Sequence, residues 1–212
     1  MYVFGRRKDV LDAAVEQLGS NARAVSGSVT EQADLDRLFD LVNTERGRLD
    51  VVLANVGVSD LAPLGQITPD QYERIFGTNV KGTLLTVQTA LPLMRQGGTI
   101  ILTGSSAGSM GMPHFTLYSA SKAAIRSFAR TWAQDLRGTG IRVNVLSPGA
   151  TLTETASELM GDEGLEAVRA NSPLGRIGAP DEIAAAAAFL ASDDSSFMTG
   201  TEVFADGGRA QV

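Results

Sequence analysis

Apolar positions along the chain follow two alternating periods. Short runs rich in β-branched and aromatic residues predict strands: Tyr2–Phe4, Ala22–Ser26, Val51–Ala54, Thr99–Thr103, Arg142–Leu146 and Glu202–Phe204. Longer segments with apolar residues at helical spacing lie between them: Asp9–Leu18, Glu31–Glu45, Pro69–Met94 (broken near Gly77–Gly82), Thr116–Leu136 and Pro180–Leu190. Strands that alternate with helices predict a doubly wound parallel α/β sheet, Rossmann-like, with residues 1–212 forming a single domain.

The segment 149–172 departs from this regularity. It follows a predicted strand, is rich in Thr, Glu, Gly and Ala, and exceeds the usual connection length in such folds. We expect a lid that closes over a substrate, with a plain surface excursion as the alternative.

Composition excludes several classes of function. The chain has 18 Lys plus Arg against 24 Asp plus Glu, so the net charge of −6 gives no reason to expect a nucleic acid or an anionic membrane as partner. The absence of cysteine excludes disulfides and thiolate metal sites, and we expect no metal centre. The N-terminus carries no apolar export signal, and a cytoplasmic location is therefore expected.

A phenol and an ammonium stand four residues apart at the start of a predicted helix. At that spacing Tyr118 and Lys122 share a face. A tyrosine needs its pKa lowered by roughly 3 units, about 4 kcal/mol, to exchange protons near neutrality. An ammonium about 4 Å away supplies on the order of 4 kcal/mol at an effective dielectric constant of about 20. On most helices such a pair is only a solvated pair, so the surrounding sequence has to decide.

That surrounding sequence contains a hydroxyl in a suitable place. Ser105 lies in the loop Gly104–Gly111, directly after a buried strand, where the chain leaves the carboxyl edge of the sheet. A hydroxyl at that edge can position a substrate carbonyl.

With these residues the chain resembles the short-chain dehydrogenase/reductase family, from Phe4 to Gly208. The family's N-N-A-G segment is matched by Ala54-Asn55-Val56-Gly57, which has Ala54 for the first Asn and Val56 for the Ala. The remaining matching segments are Thr78-Asn79-Val80-Lys81-Gly82, Ser105, Tyr118-x-x-x-Lys122, Pro148-Gly149-x-x-x-Thr153 and Phe204-Ala205-Asp206-Gly207-Gly208.

The resemblance implies an oxidoreductase that moves hydride between a nicotinamide cofactor and a small carbonyl or secondary alcohol. It implies that Tyr118 exchanges the proton and Ser105 holds the carbonyl. Lys122 would lower the tyrosine pKa and bind the nicotinamide ribose, and Asn79, at a helix break, would hold a relay water. The implied cofactor contacts also include Asn55, Gly57, Pro148, Gly149, Thr151 and Thr153.

Cofactor preference depends on the residues after the first strand. Arg6 and Arg7 stand where family members meet the adenosine ribose, and arginine pairs with a 2′-phosphate through its planar fork. We therefore expect NADP, with NAD the less favoured alternative. Ser28 and Val29 fall at the adenine, with Ser28 in place of the family's Asp.

The first strand and glycine-rich turn of the family have no counterpart in this sequence. Without that strand, the Tyr2–Phe4 and Ala22–Ser26 pair would stand about 9 to 10 Å from the Val51–Ala54 strand, twice the normal spacing. Such a gap is not expected to stay open. Either a segment lies upstream, or the sheet repacks, or another chain completes it.

Two functions remain open at this point. The leading one is the NADP-dependent enzyme, and the resemblance further implies a homotetramer. The other is a non-catalytic binding or assembly subunit that keeps the scaffold but has lost cofactor binding.

Overall fold

The computed structural model describes the backbone of residues 1–212 and the side chains of residues 1–153 and 161–212. Its strands are β1 (Tyr2–Gly5), β2 (Arg23–Ser26), β3 (Leu49–Ala54), β4 (Met94–Thr103), β5 (Arg142–Pro148) and β6 (Glu202–Ala205). Its α-helices are α1 (Lys8–Leu18), α2 (Gln32–Arg46), α3 (Pro69–Phe76), α4 (Thr83–Ala90), α5 (Thr116–Asp135), α6 (Glu154–Ala170) and α7 (Pro180–Ala191). Neighbouring strands pair in parallel, which confirms the predicted α/β architecture.

The strands form two separate sheets. One consists of β1 and β2, and the other has the order β3-β4-β5-β6. No backbone pairing joins β1 to β3, so of the three alternatives the repacked sheet is not the one seen in this structure.

A continuous apolar core on one face holds the two sheets in place. Val25 of β2, Leu35 of α2 and Val52 of β3 are buried in one cluster with Ile100 of β4 and Ile125 of α5. Because residues of α2 are buried in the same cluster as residues of β2 and β3, this shared core keeps the pair β1–β2 attached without bonding to β3.

The opposite face is covered only in part. Leu190 of α7 packs on Ile101 and Leu146, which covers β4 and β5. On β3, however, Val51 is 40% exposed and Leu53 48% exposed. An apolar strip beside the gap therefore faces solvent.

The predicted break in the long third helix is present as a π-helix. Thr68 caps the start of α3 through a reciprocal hydrogen bond with Gln71, and Pro69 occupies the first turn. The π-helix Gly77–Gly82 then interrupts the segment before α4 begins. Such an insertion widens one turn and re-aims the residues within it.

Two boundaries differ from the prediction. Met94 belongs to β4 rather than to the preceding helix. The segment 149–172 contains helix α6, interrupted at Gly161, whose φ of 59° is in the left-handed region. Composition hid this helix, since its Thr and Gly residues are poor helix formers. Residues 154–160 of the predicted lid lie outside the described side chains.

Among the described residues, no helix combines the length and apolar character needed to cross a membrane.

Candidate active site

Lys122 is fixed by two backbone carbonyls. Its Nζ donates to the carbonyl oxygen of Val56 at 3.0 Å and to that of Thr103 at 2.8 Å, and the residue is only 3% exposed. Val56 follows β3 and Thr103 ends β4, so the ammonium joins the carboxyl ends of two adjacent strands. An ammonium has three donors, and among the described residues only two are used. The third can serve a ligand.

Tyr118 and Ser105 lie together beside this ammonium. The Lys122 Nζ is 5.8 Å from the centroid of the Tyr118 ring. Phe115 packs edge-on against the same ring, with centroids 5.9 Å apart. Ser105 lies close enough to Tyr118 for its hydroxyl to lower the pKa of the phenol, and its Oγ accepts from the Ala107 backbone N–H at 3.2 Å. The expected grouping of hydroxyl, phenol and ammonium is thus present in the geometry.

The electrostatics of the pair differ from the expectation. Burial raises the pKa of Tyr118 above its usual value, and the hydrogen bond with Ser105 lowers it in part. Burial also lowers the pKa of Lys122 to about 8. Both shifts follow from removing the charged form from water. The ammonium is directed at carbonyl oxygens rather than at the phenol oxygen, so simple distance arithmetic overstated its effect on Tyr118.

Asn79 is completely buried inside the π-helix, and its amide is fully engaged. Its Oδ1 accepts from the Val58 N–H at 2.8 Å, and its Nδ2 donates to the Val58 carbonyl and to Ser121 Oγ, each at 2.9 Å. Its own carbonyl accepts from Thr83 Oγ1 at 2.7 Å. These hydrogen bonds of the Asn79 side chain therefore hold the loop after β3 next to α5. A relay water would have to use a second lone pair, either on the backbone carbonyl oxygen or on Oδ1.

Two glycines bring the backbone close to the site. A Cβ on Gly57 would lie 3.3 Å from Lys122 Nζ. A Cβ on Gly149 would lie 2.6 Å from the Cα of Asp206, so only glycine fits there. Asn55, exposed, precedes Gly57 in the loop after β3.

The segment after β5 continues along the same edge. Pro148 ends β5, and Gly149 N–H bonds to the Ala205 carbonyl at 3.0 Å. Thr151 donates its hydroxyl to the Gly149 carbonyl at 3.2 Å, and Thr153 bonds through its N–H to Thr151. All of these predicted contact residues therefore share the carboxyl edge of the second sheet.

The predicted adenosine contacts lie on the other sheet. Arg6 and Arg7 follow β1, are exposed, and have no ion-pair partner in the described part of the chain. Ser28 and Val29 follow β2. Val29 packs on the π-helix, where a Cβ on Gly82 would lie 2.7 Å from its Cγ2. The two groups of predicted residues thus occupy different sheets joined at this contact.

Sequence reasoning missed two supporting residues. Ser121 is completely buried, and its hydroxyl donates to the Tyr118 carbonyl at 2.7 Å while it accepts from Asn79. The carboxylate of Asp34 accepts from the Ser28 N–H at 2.8 Å and pairs with Arg37 at 2.7 Å. Both residues support the site through bonds to loops and turns, and no periodic pattern in the sequence indicates such bonds.

Among the described side chains no cluster suited to a metal ion is present.

Comparisons with known proteins agree with this arrangement. A family model described as enoyl-(acyl carrier protein) reductase matches residues 1–210. The oxidoreductase asL5 of Sarocladium schorii is 57% identical over the whole chain and is itself covered to 86%.

Solved structures agree as well. A short-chain dehydrogenase/reductase of Brucella melitensis aligns with a TM-score of 0.93 and 27% identity, over 98% of this chain and 85% of its own. A gluconate 5-dehydrogenase of Burkholderia cenocepacia, solved in complex with NADP and tartrate, aligns with a TM-score of 0.90 and 27% identity. The alignment covers 100% of this chain and 85% of that protein's chain. The chain therefore belongs to the short-chain dehydrogenase/reductase family of oxidoreductases, enzymes that act on alcohol and carbonyl groups.

Proposed function

We propose that this protein transfers hydride between NADP(H) and a small carbonyl or secondary alcohol, with Tyr118 as the acid and base. The observation that carries the proposal is the arrangement around Lys122. Its ammonium donates to carbonyls at two strand ends, keeps one donor unused among the described residues, and lies 5.8 Å from the ring of Tyr118, whose phenol pKa the Ser105 hydroxyl lowers.

Each residue has a separate task in the proposal. Ser105 holds the substrate oxygen beside the phenol, and Tyr118 gives that oxygen a proton during reduction or removes one during oxidation. Because burial keeps the phenol protonated in the free chain, Tyr118 begins the reductive direction in the required state. The buried positive charge of Lys122 stabilises the phenolate that forms when the proton has left.

The residues present fit the nicotinamide end of a cofactor. Gly57 leaves open the space over Lys122, and the remaining donor of Lys122 can reach a ribose hydroxyl. Pro148, Gly149, Thr151 and Thr153 would line the nicotinamide. When bound, this cofactor supplies or accepts the hydride.

The adenosine end favours NADP. Arg6 and Arg7 are exposed at the end of β1, where either guanidinium can pair with a 2′-phosphate. The NADP complex of the Burkholderia gluconate 5-dehydrogenase supports the same choice. Ser28 and Val29 would border the adenine, and Asn55 the ribose beyond it.

The substrate we propose has an apolar body and one reacting oxygen. Phe115 packs on the reacting phenol, and Met112 beside it is half-buried. Leu61 and Leu64, in the loop after β3, are 59% and 88% exposed. The Ala62 N–H bonds to the His114 carbonyl at 3.0 Å, which ties this loop to the one that carries Met112.

We also propose that the chain assembles as a homotetramer. The edge strand β6 has one unpaired side, and Phe197 and Val212 near it are 104% and 96% exposed. Self-association at this edge would cover both side chains. The faces of α4 and α5, which resemble the dimer faces of the family, would supply the second interface that a tetramer needs. Light scattering at micromolar concentration should give four times the mass of the chain, and a monomer would contradict the proposal.

The experiment that tests the function is NADPH oxidation with a panel of ketones, comparing the wild type with Tyr118→Phe. The variant keeps the ring but loses the transferable proton, so turnover should fall by about 10²- to 10⁴-fold. Tyr72→Phe, at an exposed tyrosine of α3, is the matched control and should retain full turnover. Retained activity in Tyr118→Phe would contradict the assignment. A folded wild type that neither binds NADPH nor turns over any ketone would favour a non-catalytic scaffold.

A further inference from the structure

A largely shielded carboxylate at the start of β6 contacts three other segments of the chain. Glu202, at the start of β6, accepts through Oε1 from Ser147 Oγ of β5 at 2.7 Å. Its Oε2 accepts from Ser109 Oγ at 3.3 Å and lies 3.6 Å from Arg126 Nη1 of α5. Arg126 Nη1 also donates to Ser109 Oγ at 2.7 Å. We call these four residues the Glu202 network.

The network touches each segment that carries a reacting or binding group. Ser109 lies in the loop that begins at Ser105. Arg126 is one helical turn beyond Lys122 on α5, and Ser147 directly precedes Pro148. Because one carboxylate bonds to all three segments, it can fix their relative positions.

The loop after Ser105 is held by close packing at its start and by the Glu202 network at Ser109. A Cβ on Gly108 would lie 3.1 Å from the backbone carbon of Lys122, so the turn after Ser105 presses directly on α5. A Cβ on Gly104 would lie 2.2 Å from Ser147 Oγ. The loop is therefore tightly packed at its start and middle, and beyond the turn, at Ser109, side-chain bonds to Arg126 and Glu202 secure it.

Burial strengthens the inner bond of this network, between Ser147 and Glu202, more than the outer bonds at Ser109. The Glu202 side chain is 12% exposed and Ser147 is completely buried, whereas the Arg126 side chain is 31% exposed and Ser109 is exposed. Charge-assisted hydrogen bonds in such surroundings are shorter and stronger than neutral ones. Surface ion pairs of this chain, such as Lys8 with Asp12, lack that shielding.

Resting on the proposed function, we infer that Arg126 and Glu202 are positioning residues, which hold the Ser105 hydroxyl at the phenol of Tyr118. Neither touches the substrate. Their effect is exerted through Ser109 on the loop and through Ser147 on the segment before Pro148.

The kinetic test uses Arg126→Met and Glu202→Gln, with the exposed Arg130→Met of the same helix as the control. A loop displaced by a fraction of an ångström should lower kcat about 10-fold in either variant, with little change in NADPH affinity. The double variant should be no slower than either single one, because both break the same network. Arg126→Lys, which keeps a cation beside Ser109, should recover part of the loss. Unchanged kcat in Arg126→Met, or additive losses in the double variant, would overturn the inference.

A spectroscopic test needs no turnover, so its failure is distinct from failure of the proposed function. In a Tyr2→Phe/Tyr72→Phe background, Tyr118 is the only tyrosine. The pH at which its tyrosinate absorbance appears reports the influence of the Ser105 hydroxyl, which lowers the pKa of the phenol. Arg126→Met should shift the absorbance transition to higher pH, as Ser105→Ala does, with folding checked by circular dichroism at each pH. If the transition moves in Ser105→Ala but not in Arg126→Met, the network does not position Ser105. If the wild type lacks turnover, the proposed function fails, and this titration alone decides whether the Glu202 network positions Ser105.

Discussion

The two sheets of the molecule differ in how completely they are built. The sheet β3-β4-β5-β6, together with α5 and the π-helix, carries Asn79, Ser105, Tyr118 and Lys122, and hydrogen bonds to neighbouring segments hold Asn79 and Lys122 in place. The pair β1–β2 carries Arg6 and Arg7, exposed and attached to the rest chiefly through α2. Under the proposed function, proton chemistry and recognition of the adenosine end of the cofactor are therefore carried by different sheets. The first would depend on packing within one sheet, and the second on how the two sheets are held together.

The two faces of the sheet β3-β4-β5-β6 differ in how much each contributes to stability. Ile100, next to β3 on β4, is completely buried in the core that spans both sheets, while Leu53 of β3 is 48% exposed beside the gap. Ile100→Ala should lower the free energy of unfolding by about 2 to 5 kcal/mol. Leu53→Ala should cost less than about 1 kcal/mol, because little apolar area is lost. Urea unfolding followed by circular dichroism measures both, and equal losses would mean that the face beside the gap is covered in solution.

Burial of Lys122 predicts a pH dependence of stability that arises in the sheet β3-β4-β5-β6. Its pKa is lowered to about 8 in the folded chain from an ordinary value of 10.5. Between these values the unfolded chain binds the extra proton, so stability rises with pH. Between about pH 7.5 and about pH 9.5 the gain from this group should be about 2 kcal/mol. Lys122→Met should remove that gain, and an identical pH profile in the variant would show that Lys122 is not desolvated.

A substitution at Arg6 tests whether the sheet β1–β2 contributes to the choice between NADP and NAD. In a form of the protein that binds cofactor, Arg6→Asp should weaken NADP binding about 10-fold, roughly 1.4 kcal/mol, because attraction to the 2′-phosphate becomes repulsion. NAD affinity should change little. Arg48→Asp, at an exposed arginine after α2, controls for the change in net charge. Equal losses for both cofactors would remove Arg6 from 2′-phosphate recognition.

Much of this organisation could be predicted from the sequence, for a physical reason. Strand and helix periods are local, and the order of Ser105, Tyr118 and Lys122 along one strand, loop and helix fixes their proximity. The helix break at 77–82 was marked by its glycines.

What the sequence left undetermined depends on long-range contacts. The carbonyls that hold Lys122 come from residues 56 and 103, and the bonds of Glu202 reach back to residues 109, 126 and 147. The separation of β1 from β3 likewise depends on how α2 packs against both sheets. No pattern within a short window contains such information.

The most direct test of the separation between chemistry and cofactor recognition is a fluorescence titration with NADPH. It would compare the 212-residue chain with a form extended before Met1 by a strand, a glycine-rich turn and a helix. We predict micromolar binding by the extended form and at least about 10-fold weaker binding without the added segment, because backbone N–H groups at a helix N-terminus are what hold a pyrophosphate. The extended form should also gain about 2.7 kcal/mol of stability at NADPH concentrations a hundredfold above Kd. Equal affinity in the two forms would contradict the account, since it would mean that the two sheets as they stand already form the complete cofactor site.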